Sequence, residues 1–336
     1  MPHEGGPGVL KVERRRATRG ALPGEAIVRV EAAGVSFAEV QMLKGRYFNQ
    51  PRFPFVSGYD LVGEVEEVGE GVDGRLLGRR VAALTETGAW ADRVALDAAE
   101  LVVVPDGLAP ADAVAVVTNG VTAWQMLHRA GGVRSGQTVV VHGASGGVGT
   151  MLVQLARLAG ADVIGTASAS KHEGVRALGA IPVDYKNENV LQRVREISPR
   201  GVDAVFDHVG GPGLVNSWRM LGRGGTLVSY GSASTLGSTG HRLRPYLPVF
   251  ARIALWNTLP NGRRATFYYV RRWPKLFQQD LATVFSLLSE GKIDAQVAGQ
   301  LDLDQADEAL GLLASGRASG KVVLVPGLEG TKDAGA

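Results

Sequence analysis

The chain has no cysteine among its 336 residues. Disulfide bonds, thiolate nucleophiles and cysteine-ligated zinc are therefore excluded together. Long apolar runs are missing too, since the most apolar stretch, 248–256, is far shorter than the roughly 18 residues that span a bilayer. The first eight residues lack the basic start and apolar core of a secretory signal. These absences favour a cytoplasmic protein with no membrane-spanning segment.

The chain has little excess charge of either sign: 36 Lys and Arg residues face 33 Asp and Glu residues, so the net charge is only +3. This balance does not indicate a nucleic-acid-binding protein. Between Leu236 and Lys275, however, eight Arg or Lys residues occur without any Asp or Glu. Three interpretations remain open: a lid that binds an anionic part of a substrate, a membrane contact through 242–272 with a helix at 248–259, or packing at a dimer edge with solvated arginines. We favour the last over membrane contact.

Two kinds of pattern divide the chain. Short strands between glycine-rich turns occupy the first 110 residues, and further strands return near the C-terminus; the clearest are 26–32, 61–68, 101–104, 295–301 and 321–325. From Thr138 onward, apolar β-branched runs alternate with helical periodicity, as in βαβ units on a parallel sheet. The predicted strands there are 138–142, 162–166, 181–184, 203–207, 226–229 and 267–270. The predicted fold class is α/β, with a Rossmann-type doubly wound parallel sheet inserted into a β-rich domain.

The domain boundaries follow from this division. We assign 1–122 and 290–326 to a discontinuous β-rich domain that carries the substrate, and 123–289 to the inserted nucleotide-binding domain. The cleft between them is the predicted ligand site. The polar tail 327–336 is expected to be disordered.

A glycine-rich turn, Gly143 to Gly149, follows the first strand of the predicted sheet and begins a long helix. A side chain there would keep the backbone from a pyrophosphate, whereas bare N–H groups and the positive end of the helix dipole attract the anion. The turn therefore predicts a dinucleotide site at Ser145, Gly146, Gly147 and Val148. The alternative is a tight strand–helix turn that binds nothing.

The end of the second strand carries no carboxylate. An NAD-selective fold usually has Asp or Glu about 20 residues after the glycines, where it accepts from the ribose 2′-hydroxyl. Here Ser168, Ser170 and Lys171 occupy that region. Hydroxyls and a cation suit a 2′-phosphate, so NADPH is the predicted cofactor, although Lys171 could also be an ordinary solvated lysine.

Several motifs, in this order, resemble the zinc-free quinone oxidoreductase branch of the medium-chain dehydrogenase/reductase superfamily. They are AAGVSFAE at 32–39, GRY at 45–47, PFVSGYDLVG at 54–63, GAWAD at 88–92 and GVTAW at 120–124, with an AxxGGVG form of the glycine turn. The resemblance extends over about residues 24–325. It implies that the β-rich part is the GroES-like catalytic domain of that family.

The same resemblance bears on zinc. Zinc-dependent relatives hold the catalytic metal with a Cys and a His, and the matching positions here are Ser36 and Tyr59, which cannot make that site. The cysteine-rich lobe for structural zinc is also missing. The implied enzyme uses no metal, which disfavours alcohol oxidation and leaves hydride transfer to an activated acceptor, a quinone or an α,β-unsaturated carbonyl.

Site residues also follow from the resemblance. Tyr47 matches the tyrosine that related enoyl-thioester reductases use near the substrate, and a phenol can donate a proton without being charged. It is the first catalytic candidate and Tyr59 the second, with a structural role open for both. Ser36 replaces an Asn that often faces the nicotinamide, and Glu39 replaces the usual Asp.

The remaining cofactor contacts are expected at the ends of the strands, where open α/β sheets bind ligands. The candidates are Thr122, Tyr185, Val209, Gly210, Tyr230 and Gly231, with Tyr185 placed by the resemblance against the 2′-phosphate. His142 is interpreted as a satisfied core residue. The resemblance also implies a homodimer, because the sixth strand pairs across the interface in relatives.

Two other functions remain open at this stage. One is an enoyl-thioester reductase of the same superfamily. The other is a membrane-associated adaptor that retains the nucleotide site, as the vesicle amine transport protein homologues suggest.

Overall fold

The computed structural model describes residues 1–14, 19–231, 233–237 and 243–328. Internal contacts divide the chain into two units: unit 1 is Met1–Thr118 with Lys275–Ala336, and unit 2 is Asn119–Pro274. The first observed boundary, 118/119, lies close to the predicted one at 122/123. The second, 274/275, lies about one helix length before the predicted one at 289/290. Of the tail predicted to be disordered, 329–336 lie outside the described residues.

Unit 1 is built on a mostly antiparallel sheet. Its strands are β1 Glu25–Val35, β2 Asp60–Val68, β3 Arg80–Leu84, β4 Arg93–Asp97, β5 Val102–Val103, β12 Val297–Asp302 and β13 Lys321–Val325. Their order is β12-β13-β1-β2-β3-β5, with β4 also paired to β1. The helices are α1 Phe37–Leu43, α8 Pro274–Ser289 and α9 Ala306–Ala314, and α2 Pro110–Trp124 runs across the division between the units.

The β1 and β13 strands bring distant parts of the sequence together. They pair antiparallel, with Gly34 opposite Val323 and Val35 opposite Val322. The C-terminal strand therefore lies beside the residues that precede helix α1. Lys321, the first residue of β13, is thereby placed close to Ser36 and Asp60 despite their separation in sequence.

Unit 2 contains a sheet of six parallel strands. They are β6 Thr138–Val141, β7 Asp162–Ala167, β8 Ile181–Asp184, β9 Val202–Asp207, β10 Leu221–Ser229 and β11 Arg264–Phe267. The helices are α3 Gly147–Leu158, α4 His172–Ala177, α5 Val190–Ile197, α6 Leu214–Met220 and α7 Leu247–Asn257. The order β11-β10-β9-β6-β7-β8 is that of a doubly wound Rossmann sheet and confirms the predicted fold class.

The chain reverses its direction across this sheet between β6 and β9. These two strands are neighbours, although β7 and β8 lie between them in sequence. Ligands of open α/β sheets bind at such a switch point, outside the carboxyl ends of the strands. The glycine turn after β6 and the residues after β9 both lie there.

The sixth strand lies earlier than predicted, at Arg264–Phe267 rather than 267–270. The aromatic run 267–269 favours a strand by propensity, but pairing decides the position. Strand β11 is in register with β10 from Thr226 opposite Arg264 to Ser229 opposite Phe267, and both strands end there. A hydrogen bond from Tyr268 N to Ser229 O follows directly after the last paired residues.

Helix α7 covers part of the edge of the sheet. Asn257, its last residue, exchanges two hydrogen bonds with the main chain of Ala265: Nδ2 donates to the carbonyl at 2.9 Å, and Oδ1 accepts from the amide at 2.8 Å. Trp256 of the same helix stacks on Trp218 of α6 with 4.8 Å between ring centroids. These contacts fix the helix on the end of unit 2.

Two arginines of the basic segment, residues 236–275, contact the main chain in this region. Arg252 donates to Gly211 O at 3.1 Å, and Arg263 donates to Gly222 O at 3.2 Å while its guanidinium lies over the Trp218 ring. The predicted helix at 248–259 is present as α7, whereas Arg242 lies outside the described residues. Within the described ranges, no helix has the length and apolar character needed to cross a membrane.

Candidate functional site

The glycine turn has two glycines that the fold itself requires. Gly143 has a φ of +66°, and a Cβ there would lie 2.5 Å from Cε1 of His208. At Gly149 a Cβ would lie 2.1 Å from the Gly143 carbonyl oxygen, because helix α3 rests directly on the turn. The imidazole ring of His208 leaves no room for a side chain at position 143, and the main chain of the turn leaves none at position 149.

Gly146 differs from these two. It has an ordinary φ of −81°, and the nearest atom to a Cβ at this position would be Gly143 O at 3.4 Å, a normal van der Waals contact. Packing within the protein therefore does not require glycine there. The main chain here has no side chain over it, although packing within the protein would allow one. At the N-terminus of a helix, such exposed main chain lets a phosphate approach the N–H groups.

Asn119 is a neighbour of the turn that the sequence did not single out. Its Nδ2 would lie 2.4 Å from a Cβ at Gly147, so the side chain lies against the turn. Asn119 is buried on α2, as is Thr122, one turn further along the same helix. Both belong to unit 2, and Asn119 lies against the turn that carries the predicted ligands Ser145 to Val148.

Two buried polar atoms near the ends of β9 and β10 have no protein partner among the described residues: Nδ1 of His208 and Oγ of Ser229. The predicted ligands that follow these strands are Val209, Gly210, Tyr230 and Gly231. Buried polar atoms are normally hydrogen-bonded, so an unpartnered pair is unusual. Such groups at the carboxyl edge fit a polar ligand such as a nucleotide.

A second cation lies near the predicted 2′-phosphate residues. The Oγ atoms of Ser168 and Ser170 are 3.4 Å apart. Burial, together with repulsion from Lys186, lowers the pKa of Lys171, so Lys186 is a second cation within electrostatic range of these residues. Two lysines in this region would attract an anion such as a 2′-phosphate. Tyr185, which the family resemblance placed against the 2′-phosphate, is exposed. The position of Lys186 directly after Tyr185 is the only feature of the sequence that could have indicated Lys186 as a ligand.

In unit 1 the two catalytic candidates contact each other. The hydroxyl oxygens of Tyr47 and Tyr59 are 2.7 Å apart, and the rings meet edge to face at 88°. Both side chains are buried. One hydroxyl must donate to the other, so the accepting phenol retains its own proton for donation elsewhere.

A buried ionic cluster lies one residue further along the chain. Lys321 Nζ is 3.0 Å and 3.1 Å from the two carboxylate oxygens of Asp60 and 3.0 Å from Ser36 Oγ. Asp60 Oδ2 also accepts from the amide of Thr118 at 3.1 Å. The exposed fractions of the Lys321 and Asp60 side chains are only 2% and 0%.

Glu39 adds a second carboxyl group to this cluster. Its Oε2 accepts from the amide of Ser36 at 2.8 Å, whereas Oε1 is buried without a partner among the described residues. Burial raises the pKa of Glu39 to about 8, against the opposing effect of Lys321 and with a contribution from Asp60. Glu39 is therefore largely protonated at neutral pH, and the cluster holds one carboxylate, one carboxylic acid and one ammonium.

Comparison with known proteins identifies the family. Models described as "Alcohol dehydrogenase GroES-like domain" and "Zinc-binding dehydrogenase" match residues 22–106 and 178–324. A relative in Rattus norvegicus, "Synaptic vesicle membrane protein VAT-1 homolog", is 32% identical over 97% of this chain and 83% of its own length. The chain belongs to the medium-chain dehydrogenase/reductase superfamily, within its zinc-free, quinone-oxidoreductase-like branch.

Solved structures agree with this membership. Escherichia coli quinone oxidoreductase complexed with NADPH superimposes with a TM-score of 0.84 at 26% identity, over 96% of this chain and 98% of that one. The structure named 2-haloacrylate reductase gives a TM-score of 0.79 at 27% identity, over 96% and 97% of the two chains. The chain thus belongs to an oxidoreductase family with members whose structures have been solved in complex with NADPH.

The name of one family model raises the question of zinc, and the residues at the matching positions do not fit it. Ser36 and Tyr59 offer neutral hydroxyl groups, the Tyr59 hydroxyl contacts Tyr47, and the neighbouring Asp60 carboxylate is paired with an ammonium. No group of three or more metal-ligating side chains occurs among the residues that the structure describes.

The predicted site residues therefore fall into separate groups. Ser36, Tyr47 and Tyr59 lie in unit 1, and the Lys321–Asp60 pair beside Ser36 was not predicted. The cofactor candidates of the turn and of the strand ends lie in unit 2, where Asn119 and Lys186 join them. Their assignment as ligands remains a prediction.

Proposed function

We propose that the protein is an NADPH-dependent reductase that transfers hydride to a quinone or an α,β-unsaturated carbonyl without a metal. The observation that carries this proposal is the glycine turn at the switch point of the sheet, with Gly146 left bare for no internal reason. NADPH supplies the hydride when it is bound. The protein contributes the bare turn, the orphaned polar atoms at the strand ends and the phenol pair of unit 1.

The direct test of the reaction is stopped-flow oxidation of NADPH by the purified protein with a panel of quinones, enones and acyl-CoA thioesters. We expect turnover with at least one quinone or enone. Binding of NADPH without turnover on any of these acceptors would contradict the enzymatic proposal while leaving the nucleotide site intact.

Preference for NADPH over NADH follows from Lys171 and Lys186. Replacing both lysines by alanine is expected to weaken NADPH binding by about 100-fold, because two charge-assisted contacts to a phosphate are lost, and to change NADH binding less than threefold. Titration calorimetry with each nucleotide measures this. Lys275→Ala, an exposed lysine of the basic segment, is the control. A clear preference of the wild-type protein for NADH would overturn the assignment.

The role of Tyr47 depends on the acceptor. Reduction of a thioester or an enone needs a proton, so Tyr47→Phe is expected to lower its kcat by about 100-fold. Quinone reduction should change less than threefold, because solvent can protonate the hydroquinone. Tyr59→Phe removes only the partner hydroxyl and should have a smaller effect. Equal losses with both acceptor classes would instead indicate that Tyr47 only shapes the pocket.

An adaptor function is a second candidate, favoured by one observation. Helix α7 exposes 65% of Leu247 and 61% of Leu255, and no carboxylate occurs between 243 and 275. Such a face suits an anionic lipid surface. Co-sedimentation with phosphatidylserine vesicles that is lost in Leu247→Ser/Leu255→Ser, in a protein with no turnover on any acceptor, would favour the adaptor over the reductase.

A further inference from the structure

A buried chain of hydrogen bonds crosses three neighbouring strands of unit 2 at their carboxyl ends. It begins at Thr166 on β7, passes through His142 after β6 and Ser217 on α6, and ends at Asp207 on β9. Thr166, Ser217 and Asp207 are each at most 2% exposed. The proposed reaction uses none of these side chains.

The direction of the chain follows from its two ends. Because Asp207 can only accept, the Ser217 proton is used there and Nε2 of His142 must donate to Ser217. This leaves Nδ1 of the neutral ring to accept from Thr166 Oγ1, 3.3 Å away, and Thr166 Oγ1 itself accepts from the amide of Gly143 at 3.1 Å. His142 then carries its proton on Nε2, which is 3.1 Å from Ser217 Oγ. Ser217 in turn donates to Asp207 Oδ2 at 2.6 Å. Every donor in the chain meets one acceptor.

The charge states agree with that direction. Burial lowers the pKa of His142, against the opposing effect of Asp207, so the imidazole is neutral at neutral pH. Burial opposes ionisation of Asp207, but the nearby imidazole and hydrogen bonds from Ser217 and Gly210 outweigh it and lower its pKa. The chain therefore ends on a buried carboxylate that accepts hydrogen bonds from Ser217, Val209 and Gly210.

Both ends of the chain hold main chain that the proposed nucleotide site uses. At one end Thr166 holds the amide of Gly143, the first residue of the glycine turn. At the other end Asp207 Oδ1 accepts from the amides of Val209 and Gly210, at 2.8 Å and 2.9 Å. The backbone amide of His142 also bonds to Phe206 O on the neighbouring strand. Two loops from adjacent strands are thus tied to one another through side chains.

We propose that His142 and Ser217 are positioning residues that hold the glycine turn and the 207–210 loop at the spacing a dinucleotide requires. This inference rests on the proposed function, because it assigns the chain a role in binding NADPH. It goes beyond reading His142 as a satisfied core residue. Neither side chain needs to touch the nucleotide, since each acts through the main chain that it anchors.

The test is titration calorimetry with NADPH and NADH on the wild-type protein, Ser217→Ala, His142→Leu and the double variant. Each single change should weaken binding about tenfold. The double variant should be no more than about twofold worse than either single variant, because either change breaks the same chain. NADPH and NADH should lose affinity by the same factor, unlike in the Lys171/Lys186 variant.

Val140→Ala, in the core on β6 and two residues before His142, is the matched control. It should lower the melting temperature while the Kd for NADPH stays within about twofold, which separates positioning from general loss of stability. If His142→Leu does not fold, His142→Phe, which keeps a ring but has no nitrogen to donate to Ser217, takes its place in the cycle with the same expectation of non-additivity.

The outcomes separate the two proposals. Wild-type protein that binds neither nucleotide would end the proposed function and this inference together. Wild-type protein that binds NADPH, with single variants whose Kd stays within twofold of it or with additive losses in the double variant, would overturn the positioning role alone.

Discussion

Lys321→Met is expected to lower the free energy of unfolding of unit 1 by about 3–5 kcal/mol, because it leaves the carboxylate of Asp60 buried without its counterion. The ammonium donates to both oxygens of Asp60 and to Ser36 Oγ at 3.0–3.1 Å, and no solvent reaches the pair to replace these contacts. Glu39, whose pKa burial raises to about 8, is the other acidic group of the cluster and supplies no positive charge to take the place of Lys321.

Hydrogen exchange of the amides in β1 and β13, with urea unfolding as a second measurement, checks this expectation. The matched control is Lys292→Met, which removes a lysine of an exposed ion pair with Glu290 and should change stability by less than about 0.5 kcal/mol. Adding Asp60→Asn to Lys321→Met should recover part of the loss, since the unpaired charge is then gone. A loss below about 1 kcal/mol for Lys321→Met would show that the buried pair is not what holds these strands together.

Gly146→Ala is expected to weaken NADPH binding by at least about 30-fold while the protein remains folded. The new methyl group meets only Gly143 O at an ordinary 3.4 Å and the backbone φ is normal, so the fold tolerates it. The same methyl group would occupy the space through which a phosphate approaches the bare amides. Binding and folding are thus separated at a single position.

Substitutions at two other glycines serve as controls for the expected effect of Gly146→Ala on binding and on stability. Gly149→Ala forces a Cβ to within 2.1 Å of the Gly143 carbonyl oxygen and should destabilise unit 2 itself, whereas Gly213→Ala meets nothing within 4 Å and should change neither property. Calorimetric titration and thermal unfolding of the three variants measure both. If Gly146→Ala bound NADPH as tightly as the wild-type protein, the turn would be a packing feature of the strand–helix junction and not a phosphate site.

The predictions that held depend on local rules. A glycine-rich turn between a strand and a helix has few conformations open to it, so its place in the sheet followed from sequence. The same applies to most strands of unit 2, whose apolar β-branched runs are buried on both faces. The sixth strand was misplaced because the aromatic run 267–269 has high β propensity, while the end of β10 decides where pairing stops.

The parts of the site that the sequence did not reveal depend on tertiary contacts. Lys321 and Asp60 are 261 positions apart, and only the pairing of β13 with β1 places one beside the other. Ser217 reaches His142 because α6 packs over β9 and β10, next to β6 in the sheet, which no periodicity indicates. Lys186 and Asn119 are polar residues of ordinary type in ordinary positions. Their relevance follows only from what they lie against.

The amide of Asn257 has a consequence for how copies of this chain could associate. It already satisfies the outward N–H and C=O of Ala265 on the last strand of the parallel sheet. A strand arriving from a second copy would meet a side chain there before it met any main-chain group. Continuation of the sheet through a two-fold axis, as the homodimer predicted from the sequence would require, must therefore skip Ala265 or displace Asn257.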